Sequence, residues 1–128
     1  MPTILIADDE PPIVELVRFT LEEPDIRVLE AFDGTSALEI ARRESPDLAL
    51  LDVRMPGIDG VELCRRMRAS PECAGTRIVM LTAAAQAEDR ARGLAAGAHD
   101  YLTKPFSPLA LMDLVRSLVP DAKRWPAA

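Results

Sequence analysis

The stretch LALLDVRMPGIDG, residues 48–60, decides the fold. Four apolar residues, 48–51, run without alternation into Asp52, and the chain then breaks on Pro56 and Gly57. A short run that is apolar throughout reads as a strand covered on both faces, the pattern of a parallel sheet rather than of a half-wet hairpin. The acid at its end is the costly residue, because burying an unpaired carboxylate costs several kcal/mol or drives its pKa upward. Asp52 therefore either caps a strand or marks a place where chemistry happens.

Outward from this stretch the same grammar repeats. Apolar runs of strand length stand at Thr3–Ala7, 26–31, 48–51, 77–81 and 100–103, separated by segments with helical periodicity. Ile13, Leu16, Val17, Thr20 and Leu21 keep one helical face; Leu38 and Ala41 do so after the turn FDGTS; Val61, Leu63, Cys64 and Met67 follow GIDG. Pro11 and Pro12 fit a first helical turn, and Ser107–Pro108 reads as an N-cap followed by proline at the first helical position. One helix after each strand implies a parallel sheet with helices on both faces. The expected fold is a three-layer α/β sandwich, a doubly wound five-stranded parallel sheet of flavodoxin-like order 2-1-3-4-5. Residues 1–119 form the single expected domain, and residues 120–128 a tail or the start of a linker.

Composition narrows the function classes. The 128 residues suit one domain, and no apolar run approaches the ~20 residues needed to span a bilayer. Met1-Pro2 leads into TILIADDE without a basic start or cleavage site, so a cytoplasmic protein is expected. A net charge of −6 repels duplex nucleic acid, so this domain alone should bind neither DNA nor a membrane surface. Cys64 and Cys73 match no metal spacing and read as a helix-face thiol and a loop thiol. His99 reads as a solvated turn residue without a catalytic role.

In doubly wound sheets the ligand site lies beyond the carboxyl ends of the strands, near the point where strand order reverses. Collected there are Asp8 and Asp9 after the first strand, Asp52 after the third, Thr82 after the fourth and Lys104 after the fifth. Three carboxylates at ~4 Å separations repel by roughly 4 kcal/mol per pair at a near-surface dielectric. A divalent cation relieves this, and hard oxygen ligands suit Mg²⁺. Taken singly, each residue has a plainer reading: Asp8 or Asp9 as a cap before Pro11, Thr82 as the end of a β-branched strand, Lys104 as a surface charge, Tyr101 as a half-buried strand aromatic.

Together, ADDE, LLDVRMPGIDG, LTA and GAHDYLTKPF resemble the receiver domain of bacterial two-component response regulators, over nearly the whole chain. That resemblance implies a phosphoacceptor switch. Asp52 takes a phosphoryl group from a histidine kinase or phosphotransfer protein, with Mg²⁺ held by Asp8, Asp9, Asp52 and the backbone carbonyl of Arg54. Lys104 and Thr82 would contact the phosphoryl oxygens, Thr82 and Tyr101 would form the switch, and the Lys104–Pro105 bond would be cis. As a receiver the chain would catalyse only its own phosphorylation and dephosphorylation, with Arg54 and Ala84 flanking the approach of water.

Two other classes compete. An aspartyl-nucleophile, metal-dependent phosphohydrolase needs a second acid two residues on, where Asp52 is followed by Arg54 and Asp8 by Glu10. A passive flavodoxin-like module predicts a phosphate-cradling glycine loop, and none follows Ala7. The segment from Ala87 to Pro108 is close to receivers of winged-helix transcription factors, which dimerise through the fourth helix, fifth strand and fifth helix. Arg90, Asp100 and Arg116 fit that face, whereas Ala110 and Leu114 stand where the family carries charges. Because 109–119 is apolar over more than one face, Leu114 becomes a candidate contact for a homodimer or another partner, with a folded-back tail around Trp125 as the alternative cover.

Overall fold

Each apolar run becomes a strand and each periodic segment a helix, in the order β1 (Thr3–Ala7), α1 (Pro11–Leu21), β2 (Arg27–Ala31), α2 (Gly34–Glu44), β3 (Leu48–Asp52), α3 (Gly60–Arg68), β4 (Arg77–Ala83), α4 (Ala87–Ala95), β5 (Asp100–Lys104) and α5 (Pro108–Leu118). A 3-10 turn at Pro71–Cys73 interrupts the α3–β4 connection. The structure is a computed structural model that describes residues 2–22, 24, 26–83 and 87–119. Ala84, Trp125 and the whole of residues 120–128 lie outside the described residues.

The sheet is parallel with order β2-β1-β3-β4-β5. Strand side chains alternate between two cores. Leu5, Ala49, Leu51, Ile78 and Met80 face the cluster built with α2 and α3, while Ile4, Ile6, Leu48, Leu50, Val79 and Leu81 face the cluster shared by α1 and α5. Most of these side chains are fully buried, each worth about 1.5–3 kcal/mol of transfer free energy for a Val, Leu, Ile or Met. Both cysteines are free and buried in the α2–α3 cluster, so the loop thiol is a core thiol. Burial pushes the Cys64 thiol up to about 11.

Strands run further toward the site than apolarity predicts. β3 includes Asp52, β4 continues through Thr82 and Ala83, and β5 reaches Lys104. Polar residues end an apolar pattern, but the ladder continues where a neighbouring strand is present: Asp52 pairs with Leu81, Thr82 with Thr103, and Ala83 with Lys104. At the other margin, β2 begins at Arg27, one residue after the expected Ile26.

Helix starts follow local side-chain chemistry. Asp33 accepts from Ser36 N at 2.8 Å, Asp59 from Glu62 N at 2.9 Å and Ser107 from Ala110 N at 3.1 Å. α1 differs: its N-cap is Glu10, without a side-chain cap bond, and Pro11 and Pro12 occupy the first turn. Asp8 and Asp9 are thus not the caps of α1. The loop between β3 and α3 is pinned by two close backbone approaches. A Cβ on Gly34 would lie 2.0 Å from the carbonyl oxygen of Ile58, and one on Gly60 would lie 2.0 Å from that of Asp52.

Along α5, Leu111 and Val115 are buried, and Met112, Leu114 and Leu118 pack partly against the α1–α5 cluster. Leu109, at 55% exposure, is the large apolar residue that α5 leaves to solvent. Among the described residues no helix is long and apolar enough to cross a membrane.

Candidate functional site

Four strand ends converge on one crevice, whose lining includes Asp9, Glu10, Asp52, Arg54, Thr82 and Lys104. Asp8 is fully buried and Asp52 nearly so, while Asp9 and Glu10 are exposed. Carboxylate oxygens of Asp8, Asp9, Glu10 and Asp52 all lie within 4.8 Å of one another. Lys104 reaches across from β5: its Nζ is 2.7 Å from Asp8 Oδ2, 2.9 Å from Glu10 Oε1 and 3.4 Å from Asp52 Oδ1. Four carboxylates against one ammonium leave the crevice strongly negative.

The electrostatics follow from this crowding. Burial first, and the charge of Asp8 second, push the Asp52 carboxyl up to about 6; Lys104 and the backbone N–H of Arg54 pull in the opposite direction. Burial alone would lower the Lys104 ammonium, but its contacts with Asp8 and Glu10 and the charge of Asp52 outweigh that and leave it raised. At the site two buried oxygens, Asp8 Oδ2 and Thr82 Oγ1, have no directed hydrogen bond. The short Lys104–Asp8 contact is accordingly an ion pair with poor hydrogen-bond geometry, and Asp8 keeps acceptor capacity toward the crevice. A hard divalent cation fits this donor set: clustered carboxylates, a spare acceptor and excess negative charge.

The remaining candidates occupy the rim or lie elsewhere. Arg54 stands on the β3–α3 loop with its guanidinium 3.1 Å from Asp89 of α4. Tyr101 sits on β5 at the surface, its ring 5.1 Å from the guanidinium carbon of Arg90. Asp100 accepts from the backbone N–H of Tyr101 at 2.8 Å. Leu114 and Arg116 are half-buried on α5. The Lys104–Pro105 peptide is cis. His99, on the exposed turn before β5, accepts the Ile78 N–H on Nδ1 at 3.0 Å, so it ties β4 to that turn rather than merely facing solvent.

Sequence reasoning passed over two residues. Glu10 was weighed only as a second acid for hydrolysis, yet it shares Lys104 with Asp8; its place in the run ADDE was the available signal. Asp89, 4% exposed on the first turn of α4 and lining the crevice, gave no signal, since EDR in a helix reads as a solvated face.

A doubly wound α/β domain with a buried acid, an acid cluster and a lysine converging at the carboxyl edge of its sheet defines a class of phosphoryl-handling domains. The chain belongs to the response regulator receiver domain family, whose model matches residues 4–116. It is 41% identical over all its 128 residues to the DNA-binding dual master transcriptional regulator RpaA of Synechocystis sp., covering 53% of that protein. It is also 41% identical over 96% of its length to the phosphate regulon transcriptional regulatory protein PhoB of Rhizobium meliloti, covering 54% of it. The chain thus spans about half the length of the curated relatives it matches. Among solved structures, the chemotaxis protein CheY4 of Vibrio cholerae superposes with a TM-score of 0.85 at 33% identity, covering 93% of this chain and 99% of that one. Receiver domains are phosphoacceptor switches of two-component signalling and use Mg²⁺, and this chain carries the acidic cluster for it. The passive and phosphohydrolase alternatives are not favoured.

Proposed function

We propose that Asp52 is the phosphoacceptor. One observation carries the assignment: Asp52 is the buried carboxylate that closes a central strand, beside both the acid cluster and the ammonium of Lys104. Its Oδ attacks the phosphorus of a phosphohistidine on a histidine kinase or phosphotransfer protein. An O–P bond forms, the P–N bond breaks, and the imidazole leaves and takes up a proton. No base is required, because a carboxylate is already the nucleophile.

Asp8, Asp9, Asp52 and the backbone carbonyl of Arg54 would hold Mg²⁺, which when bound offsets charge on the transferring oxygens. Lys104 exchanges Glu10 for a phosphoryl oxygen, and the unpartnered Thr82 hydroxyl donates to another. Movement of Thr82 vacates the space that lets Tyr101 turn inward, which re-forms the face made by α4, β5 and α5, with Arg90, Asp100, Leu114 and Arg116 on or beside it. That face serves a partner or a second copy of the chain. The domain works in the cytoplasm and turns over no substrate besides its own phosphoryl group. With a net charge of −6 it leaves any DNA contact to protein other than itself. Residues 1–119 form the receiver and 120–128 a tail or the start of a linker.

Acetyl phosphate or phosphoramidate with Mg²⁺ should add one phosphoryl group to the intact protein, and Asp52→Asn should abolish it. Equal labelling of that variant in intact-mass spectra would remove Asp52 from the mechanism.

A further inference from the structure

We propose that Arg90 is a positioning residue that latches Tyr101 in its outward position, and that this contact is surrendered when the ring turns inward. The guanidinium carbon of Arg90 stands 5.1 Å from the centre of the Tyr101 ring, within the ~6 Å over which a cation is drawn to an aromatic face. The ring is 36% exposed on β5, and Arg90 is half-buried on α4.

Packing explains why the two groups meet. β4 and β5 pair Met80 with Tyr101, and a Cβ on Gly93 would lie 2.6 Å from Met80 Cγ. α4 therefore rests on this pair of strands through a residue that has no side chain. Arg90 precedes Gly93 by three residues and so shares its helical face, which carries the guanidinium over the neighbouring strand. Charge explains why it stays there. Asp100, the acid next to Tyr101, accepts the Tyr101 N–H, and among the described residues no carboxylate is ion-paired with Arg90. When the ring leaves, the guanidinium loses an aromatic face with no carboxylate in place to take it over. At a partly exposed site such a contact favours the outward ring over the inward one by a factor of about two to five. Because ring and phosphoryl group are coupled through Thr82, the same factor opposes occupation of Asp52.

This inference rests on Tyr101 being part of the switch, and the test separates the two. Tyr101 is the one tyrosine of the chain, so incorporated fluorotyrosine gives a single fluorine resonance that reports this ring alone. Beryllofluoride, which mimics a phosphoryl group on a carboxylate, is titrated in the presence of Mg²⁺ while that resonance is followed. Apparent affinity scales with the population of the competent state, so Arg90→Ala should reach half-saturation at about two- to fivefold lower beryllofluoride than the parent. Arg90→Met, which keeps an apolar stem but no charge, should behave like Arg90→Ala, and Arg90→Lys, which restores a cation, should return toward the parent. A midpoint unaltered in folded Arg90→Ala, or an Arg90→Met protein that matches the parent, overturns the proposal. A parent resonance that does not move on addition of beryllofluoride, although acetyl phosphate labels the protein, instead refutes Tyr101 as the switch, and this inference falls with it.

Discussion

Replacing Gly60 by alanine sets two effects of known size against each other. Alanine is favoured over glycine within a helix by up to about 1 kcal/mol, and Gly60 is the first residue of α3. Against this, the added Cβ would lie 2.0 Å from the carbonyl oxygen of Asp52, 2.8 Å from its carbonyl carbon and 2.9 Å from Val53 Cα. All three obstacles are backbone, so no side chain can rotate aside. Overpacking of this kind costs about 1–3 kcal/mol, and a contact this short against a central strand belongs at the top of the range. The net loss is about 2 kcal/mol. For a domain of this size that is a fall in melting temperature of roughly 6–12 °C. The Gly60 N–H also donates to Val53 O at 2.8 Å, so whatever retreats drags the end of β3 that carries Asp52. Phosphoryl uptake from acetyl phosphate should therefore slow together with the loss of stability. Thermal unfolding by circular dichroism, alongside the rate of mass increase, checks both. A Gly60→Ala protein that melts within about 2 °C of the parent would show that α3 tolerates a Cβ there and refute the close-seating argument.

Leu50→Ala, which empties a fully buried position in the α1–α5 core, should cost about 2–5 kcal/mol and move the urea midpoint accordingly. Burial first, and then the charges of Arg68 and Arg77, hold the His99 imidazole below its ordinary value, and Nδ1 must be unprotonated to accept from Ile78. Its contribution is therefore complete above the unfolded value near 6.5 and lost as pH falls through the lower folded value. Urea midpoints from about pH 7.5 to about pH 5 should fall more steeply for the parent than for His99→Gln, and parallel curves would exclude His99. Thr82→Ala should still accept a phosphoryl group yet show no change in amide exchange along β5 and its flanking helices. Changes there equal to those of the parent would uncouple Thr82 from the switch.

The sheet was readable because its buried strands announce themselves as apolar on both faces, and four of the helices because their starts carry a signal, a cap in Asp33, Asp59 or Ser107 for α2, α3 and α5 and the pair Pro11–Pro12 for α1. The strand ends were not. Asp52, Thr82, Ala83 and Lys104 extend β3, β4 and β5 by pairing with neighbours distant in sequence, information a local pattern does not hold. Along α5 the pattern counted apolar residues without knowing that α1 packs beside them. Leu114 therefore sits half covered, and Leu109 is the residue left exposed.

The site divides the same way, by whether a residue's role is fixed by its own position or by its partner. Asp8, Asp52, Thr82 and Lys104 could be collected from the sequence because a parallel sheet brings its carboxyl edge to one crevice, whatever the side chains do there. What Lys104 holds is a different matter. Its ammonium meets Glu10, Asp8 and Asp52, and the shortest of these contacts is to Asp8 rather than to Asp52. Asp89 lies further still from any sequence signal, since it stands among charged residues in the sequence, yet it is 4% exposed and pairs with Arg54 and Arg92. In both cases the charged group is already engaged by partners of opposite sign, even though the crevice as a whole stays negative. On the proposed reading, a phosphoryl group on Asp52 would compete for the ammonium of Lys104, which Asp8 and Glu10 already engage, and that competition would turn a local change of charge into movement of β5.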